Sequence, residues 1–323
     1  MNPMRIWLSL LGAALYSLAA VAPASAQTPT YLGPDYRPPQ GNWEDAKWAY
    51  WNTIFTAADR EPCSTFDSRK VMIWRPNTTG SLNMQNNTLR DMLSKKVDPS
   101  AGESPIELWW QESSSTQNSV RFDYGSGASE LDLENNGHSV ELLFDPDRDA
   151  DKKPSQRKLT YNNKTYTLKN LHFHYPSEHR LFGVTFPMEM HFVHEDVSNN
   201  KAVFAVFLKF GTKNAILAPL FDKMEAKKLN KKDDKAPVTF GTSDLTRLLP
   251  QNPLFVTYQG SLTTPDCGKG VVWLLSQIPM EISEGQLEQF KAAIKYGRDG
   301  VAVNARPLQP YLSHSLSAPP PAR

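Results

Sequence analysis

Between residues 170 and 210 three segments carry strand-type patterning, and they restrict the fold more than any other feature. The first reads Asn170-Leu171-His172-Phe173-His174-Tyr175, and the second Met188-Glu189-Met190-His191-Phe192-Val193-His194. Side chains on a strand alternate between faces. His172 and His174 therefore share one face, and Leu171, Phe173 and Tyr175 the other. In the second segment Glu189, His191 and Val193 share a face. The third segment, residues 202–210, is a continuous apolar run suited to a strand covered on both faces. Residues 139–144 and 270–275 are further strand candidates. Two amphipathic helices are expected at the periphery. One carries Ile216, Leu220, Phe221 and Met224. The other starts at Ser283 with Gln286 three residues on, a capping-box pattern, and carries Leu287, Phe290 and Ile294. The fold class is predominantly β with peripheral helices.

The rest of the chain frames one domain. Residues 1–26 read as a signal peptide: Arg5, an apolar run, then Ala24-Ser25-Ala26 as a small-residue cleavage site. A secreted or periplasmic protein is expected, with no membrane span after cleavage. Residues 27–44 are an extended leader, residues 45–314 the domain, and residues 315–323 a proline-rich tail. The chain is 40% hydrophobic and 21% charged, enough for a sizeable core, and its formal net charge of +1 provides no field to draw nucleic acid. Lysines and acids alternate over residues 227–235, which reads as solvated surface. The chain has two cysteines, Cys63 and Cys267, and in an oxidising compartment such a pair can form one disulfide.

Five of the seven histidines fall between residues 172 and 194. Two neighbouring strands could offer three imidazoles to one point. Three histidines suit a four-coordinate zinc whose fourth position stays open for water, a catalytic arrangement. Glu189 lies on the face of His191, where a carboxylate can accept the second ring N–H of a ligand histidine. His179 and His194 read as structural hydrogen-bonding residues.

These segments resemble the α-class carbonic anhydrases. His172-Phe173-His174 with Ser177-Glu178-His179 is similar to the family's first zinc strand in its short-loop bacterial form. Glu189-Met190-His191-Phe192-Val193-His194 is similar to the second. Asn135-Asn136-Gly137-His138 resembles the proton-shuttle segment, and Ser261-Leu262-Thr263-Thr264-Pro265 the gatekeeper segment. Residues 304–310 resemble the closing segment, and Glu103-Ser104-Pro105-Ile106-Glu107 is close to a Gln-Ser-Pro-Ile-Asp pattern. Trp48 and Tyr50 are similar to an N-terminal Trp-x-Tyr pattern, without Tyr50 being assigned to the site. Residues 64–102 are an insertion relative to the family.

The resemblance implies a single domain around a large twisted, mostly antiparallel sheet. It implies zinc held by His172, His174 and His191, and reversible hydration of carbon dioxide to bicarbonate by a zinc hydroxide. Glu189 would hold His191, the Asn304 carbonyl His174, and Asn170 His172, where the family usually has glutamine. Thr263 would orient the nucleophile and pass its own proton to Glu178. Val193, Val203, Leu262, Thr264, Val271 and Trp273 would line the substrate pocket. His138, following a turn signal, would relay protons from a mobile exposed segment. The family's secreted members often bridge cysteines at the places of Cys63 and Cys267.

Two alternatives remain on sequence grounds. His172-x-His174-x3-Glu178 also has the spacing of the first cupin metal motif, which would make Glu178 a ligand. A non-catalytic relative serving as a binding module is the other. Such relatives typically lose a zinc histidine, and this chain keeps all three.

Overall fold

Alternation along the expected strands becomes the division of the molecule into two cores. A computed structural model describes residues 43–54, 58, 63, 102–108, 120–144, 157–181, 183–249, 255–294 and 302–309. The signal peptide, the tail and nearly all of the leader and the 64–102 insertion lie outside these residues. The strands in chain order are β1 (Glu107–Leu108), β2 (Val120–Asp123), β3 (Ala128–Asn135), β4 (Val140–Leu143), β5 (Lys158–Tyr161) and β6 (Lys164–His174). They continue as β7 (Arg180–Leu181), β8 (Met188–Glu195), β9 (Lys201–Phe210), β10 (Lys235–Gly241), β11 (Phe255–Ser261) and β12 (Lys269–Ile282). The helices are α1 (Trp43–Ile54), α2 (Ala218–Lys227), α3 (Thr242–Arg247) and α4 (Glu284–Ala293).

Ten strands make one sheet in the order β10-β3-β4-β6-β8-β9-β12-β11, with β5 also pairing β6 and β2 pairing β5. All these pairs are antiparallel except β9 with β12. The sheet is therefore mixed but mostly antiparallel. A separate two-stranded parallel piece joins β1 to β7. All the described residues fall within one compact unit, 31–323.

Period-2 alternation sorts the central strands cleanly. On β9, Phe204, Val206 and Leu208 join the larger core, while Val203, Ala205 and Phe207 join a smaller core on the opposite face. Leu171, Phe173, Met190 and Phe192 belong to the larger core. The histidines between them must then face the smaller one. Helices α2 and α4 cover the larger core through Leu220, Phe221, Met224, Leu287 and Phe290. The capping box at Ser283 and Gln286 is realised at the start of α4. Ile216 precedes α2, and its N–H is taken by the Asn214 side chain.

Beside the expected strands and helices the structure has others, among them β10, α3 and α1. Edge strand β10 begins in the lysine-rich stretch, yet Ala236, Val238 and Phe240 alternate inward. Pro237 is tolerated because the strand pairs only with β3. Helix α3 is one short turn-and-a-half after it. Helix α1 starts at Trp43, inside the end of the expected leader. It buries Ala46, Lys47, Tyr50 and Trp51, a single helical face. Lys47 is fully buried, which requires compensation. Its ammonium donates to the Glu178 carbonyl at 3.1 Å and pairs with Glu44 at 3.2 Å. Among the described residues no helix is long and apolar enough to cross a membrane.

Candidate metal centre

Register, not only face, brings the histidines together. On β6 and β8, His172 stands opposite His191, His174 opposite Glu189, and Asn170 opposite Val193. One nitrogen from each of His172, His174 and His191 lies within 4.8 Å of the others. The Nε2 atoms of His172 and His174 are 3.1 Å apart.

The outer nitrogens decide what the inner ones can do. His172 Nδ1 lies 2.8 Å from Asn170 Oδ1, His174 Nδ1 2.9 Å from the Asn304 carbonyl, and His191 Nε2 2.7 Å from Glu189 Oε1. Each partner is an acceptor, so each outer nitrogen carries the hydrogen. A neutral imidazole then presents a lone pair at its other nitrogen. Three lone pairs converge on one point, a donor set that fits zinc. Asparagine at 170 makes its contact despite its short side chain.

The electrostatics favour the same protonation states. Burial, then the neighbouring imidazoles His174 and His191, pushes the His172 pKa well below its ordinary value. Burial and His191 push His174 down to about 3. Neutral imidazole is the metal-binding form. Burial pushes Glu189 upward, but His179 and the hydrogen bonds from His179 and His191 outweigh it and hold the carboxyl well below its usual range.

Asn304 is itself fixed on three sides. Its side chain accepts from the Tyr175 N–H at 2.7 Å and donates to the carbonyls of Phe173 and His138 at 2.9 and 3.1 Å. Behind Glu189 lies a buttress that sequence reasoning did not foresee. His179 meets Glu189 through Nδ1 at 2.7 Å and through its backbone N–H at 2.9 Å. His179 Nε2 then lies 2.7 Å from the Tyr258 hydroxyl, which lies 2.6 Å from Ser104 Oγ. A second grouping of possible ligand atoms, His179, Glu189 and His191, is this same network, its atoms already bonded to one another. His194 is likewise structural, with Nε2 3.1 Å from the Tyr124 hydroxyl; burial pushes it down to about 4.

The gatekeeper segment leaves β11 after a register shift between Gly260 and Ser261. Thr263 is buried near Glu178, whose Oε2 has no hydrogen-bond partner among the described residues. Glu178 Oε1 accepts the Arg306 N–H at 2.8 Å. Burial pushes its carboxyl upward, against the pull of His191, the Arg306 N–H and Thr263. Glu178 is not part of the three-histidine grouping, which removes the basis for the cupin alternative. Val203, Val271 and Trp273 belong to the smaller core, with Val193 and Leu262 packed against it. Thr264 is half-buried in the next turn, where its carbonyl accepts the Cys267 N–H at 2.7 Å. Cys63 and Cys267 form a disulfide, and Trp51 packs on it.

His138 departs from expectation. It is half-buried rather than exposed, and its turn is pinned: Asn136 Oδ1 accepts the N–H groups of His138 and Ser139, both at 2.8 Å. Gly137, at φ +88°, makes the bend that a side chain would oppose. The ring lies 5.6 Å from that of His174, and Nδ1 lies 2.5 Å from the Tyr50 hydroxyl. Burial and the charge-averse histidine cluster, His174 first, push His138 down to about 3. Tyr50, which the sequence did not assign to the site, thus meets His138; the Trp-x-Tyr spacing was the one signal of it.

A family model described as eukaryotic-type carbonic anhydrase matches residues 96–318. The carbonic anhydrase of Neisseria gonorrhoeae is 36% identical over 188 residues, 56% of this chain and 64% of that protein. This chain therefore spans a little less than two thirds of that relative. The carbonic anhydrase of Pectobacterium carotovorum is 30% identical over 208 residues, 64% of this chain and 76% of that protein. Among solved structures, the α-carbonic anhydrase of Photobacterium profundum aligns with a TM-score of 0.55 at 30% identity, covering 69% of this chain and 90% of that one. With a family model matched across most of its length and a site of this construction, the chain belongs to the eukaryotic-type, or α, carbonic anhydrase family.

Proposed function

We propose that this protein is a zinc-dependent carbonic anhydrase of an extracytoplasmic compartment, which reversibly hydrates carbon dioxide to bicarbonate and a proton. The observation that carries the reading is the set of three acceptors, Asn170, Asn304 and Glu189, that turn one lone pair of each histidine to a common point. His172, His174 and His191 would hold the metal. Bound there, zinc would lower the pKa of a water to near neutrality, the handling of water for which carbonic anhydrase is the standard case.

The chain's own residues do the remaining work. Glu178 is acceptor-only when ionised, so Thr263 donates its hydroxyl hydrogen to Glu178 and presents its oxygen lone pairs to the reaction centre. That polarity orients the attacking oxygen. Val193, Val203, Leu262, Val271 and Trp273 form an apolar wall that receives a linear apolar substrate and releases its charged product. Thr264 completes the rim. The Cys63–Cys267 disulfide and the bacterial relatives support an oxidising location such as the periplasm.

His138 carries the proton away. Its ring lies 5.6 Å from that of His174, beside the proposed reaction centre, at the turn made by Gly137. His138→Ala is expected to slow turnover about tenfold or more in weak buffer, at the low end of what a positioned acid–base group supplies. Zinc content should stay at the parent level, and added imidazole should restore much of the rate. A His138→Ala enzyme as fast as the parent at low buffer would assign the relay to another group.

The direct test of the function is stopped-flow hydration of carbon dioxide by the purified mature chain with its metal content measured. About one zinc per chain and rapid hydration are expected, as the single three-histidine site implies. A correctly folded protein that holds one zinc and shows no hydration above the buffer rate would overturn the reading.

A further inference from the structure

We infer that the Arg306 guanidinium, tethered by Glu103, positions Thr263 against Glu178, an inference that rests on the proposed function. Arg306 touches Glu178 directly and reaches Thr263 through the peptide unit that precedes it. Its backbone N–H donates to Glu178 Oε1 at 2.8 Å. Its Nη1 donates to the Ser104 carbonyl at 2.6 Å, with longer contacts to Ser261 Oγ at 3.3 Å and the Leu262 carbonyl at 3.4 Å. The Leu262 carbonyl belongs to the same peptide unit as the Thr263 N–H. Holding that oxygen sets the plane from which the Thr263 side chain departs.

The guanidinium is only 1% exposed, and a buried cation requires a partner. Glu103 provides it, with Oε2 3.0 Å from Nη2. The same oxygen accepts from Ser261 Oγ at 3.4 Å, and Lys269 lies 3.4 Å from Oε1. Trp51 of α1 covers the guanidinium, its ring centroid 5.4 Å from Cζ. Three segments distant in sequence, residues 103–104, 261–262 and 306, are thereby clamped by one planar fork. A lysine could keep the charge but not the fork, because its ammonium is a single point of contact on a flexible stem. Where the Gln-Ser-Pro-Ile-Asp pattern has a neutral residue, this chain has an acid, which strengthens the tether electrostatically.

The test is a double-mutant cycle of Arg306→Lys with Thr263→Ala, read as kcat/KM for hydration in saturating buffer. If Arg306 acts through Thr263, Arg306→Lys lowers kcat/KM about tenfold in the parent and has almost no effect in the Thr263→Ala background. A purely structural arginine gives additive losses, and that result overturns the inference. A second readout needs no metal. In the zinc-free protein, amide hydrogen exchange at Leu262 and Arg306 should quicken in Arg306→Lys while β9 is unchanged; exchange unchanged at both amides also overturns it. Should Arg306→Lys fail to fold, Glu103→Ala, which leaves the guanidinium in place without its tether, goes through the same two measurements. A Thr263→Ala enzyme as active as the parent would overturn the inference by removing the role of Thr263, whereas a parent enzyme without hydration would remove the proposed function itself.

Discussion

His191→Ala is expected to bind little or no zinc and to hydrate carbon dioxide at least about 1,000-fold more slowly than the parent, a fraction of the roughly 10⁶-fold or more that enzymes supply. The site offers three nitrogens, and the other two belong to one strand. His191 is the sole ligand from β8, directly opposite His172. Its loss leaves two imidazoles on one side of the metal position and nothing to close the other. Loss of metal can be told from loss of fold, because Glu189 keeps both of its bonds from His179 when His191 is gone. The Glu189 carboxylate therefore does not become an unpaired buried charge, which would itself destabilise strongly. Metal content, circular dichroism and stopped-flow hydration measured on one preparation check the expectation. Full zinc with full activity in the His191→Ala protein would show that the ligand set is wrong.

Reduction of the Cys63–Cys267 disulfide is expected to lower unfolding free energy by up to about 5 kcal/mol in the chain-entropy model, because the bond closes so long a loop. The two cysteines are 204 residues apart. At roughly 2–4 °C per kcal/mol for a domain of this size, the melting temperature should fall by about 10 °C. The effect should reach the site as well. Cys267 ends the turn that begins at Thr264, next to Thr263, and its own N–H closes that turn on the Thr264 carbonyl. At the other end the bond packs against Trp51 of α1, the helix that carries Tyr50 to His138. Thermal melts with and without reductant, and the activity of Cys63→Ser, measure both parts. The unreduced protein should show no free thiol on alkylation. A melting temperature unchanged by complete reduction would remove the stabilising role.

Local pattern reported the histidine face correctly for a simple reason. On a strand, the side facing a neighbour is a property of position parity, so His172, His174, His191 and Glu189 could be assigned without knowing what lay around them. The long apolar run of β9 and the cap of α4 are equally local. The stretch over residues 227–235 shows the limit. Its lysines are exposed, as expected, but Lys235 opens β10, whose pairing with β3 depends on a distant edge being vacant. For α1 there was only the Trp-x-Tyr spacing, since a helix whose buried face includes a lysine does not read as amphipathic. Lys47 can be buried only because Glu44 and the Glu178 carbonyl meet it.

The sequence by itself therefore determined which residues share a face, which nitrogens and carboxylates were available, and hence which chemistry was open to them. Tertiary structure alone decided distances and protonation. It placed Asn304 from the far end of the chain under His174, turned His138 inward onto Tyr50, and joined His179 to Tyr258 and Ser104. The physical reason is that hydrogen bonds and desolvation depend on separations of a few ångströms between residues that stand 79 to 154 positions apart in the chain. Periodicity carries information over a strand or a helix, and no further.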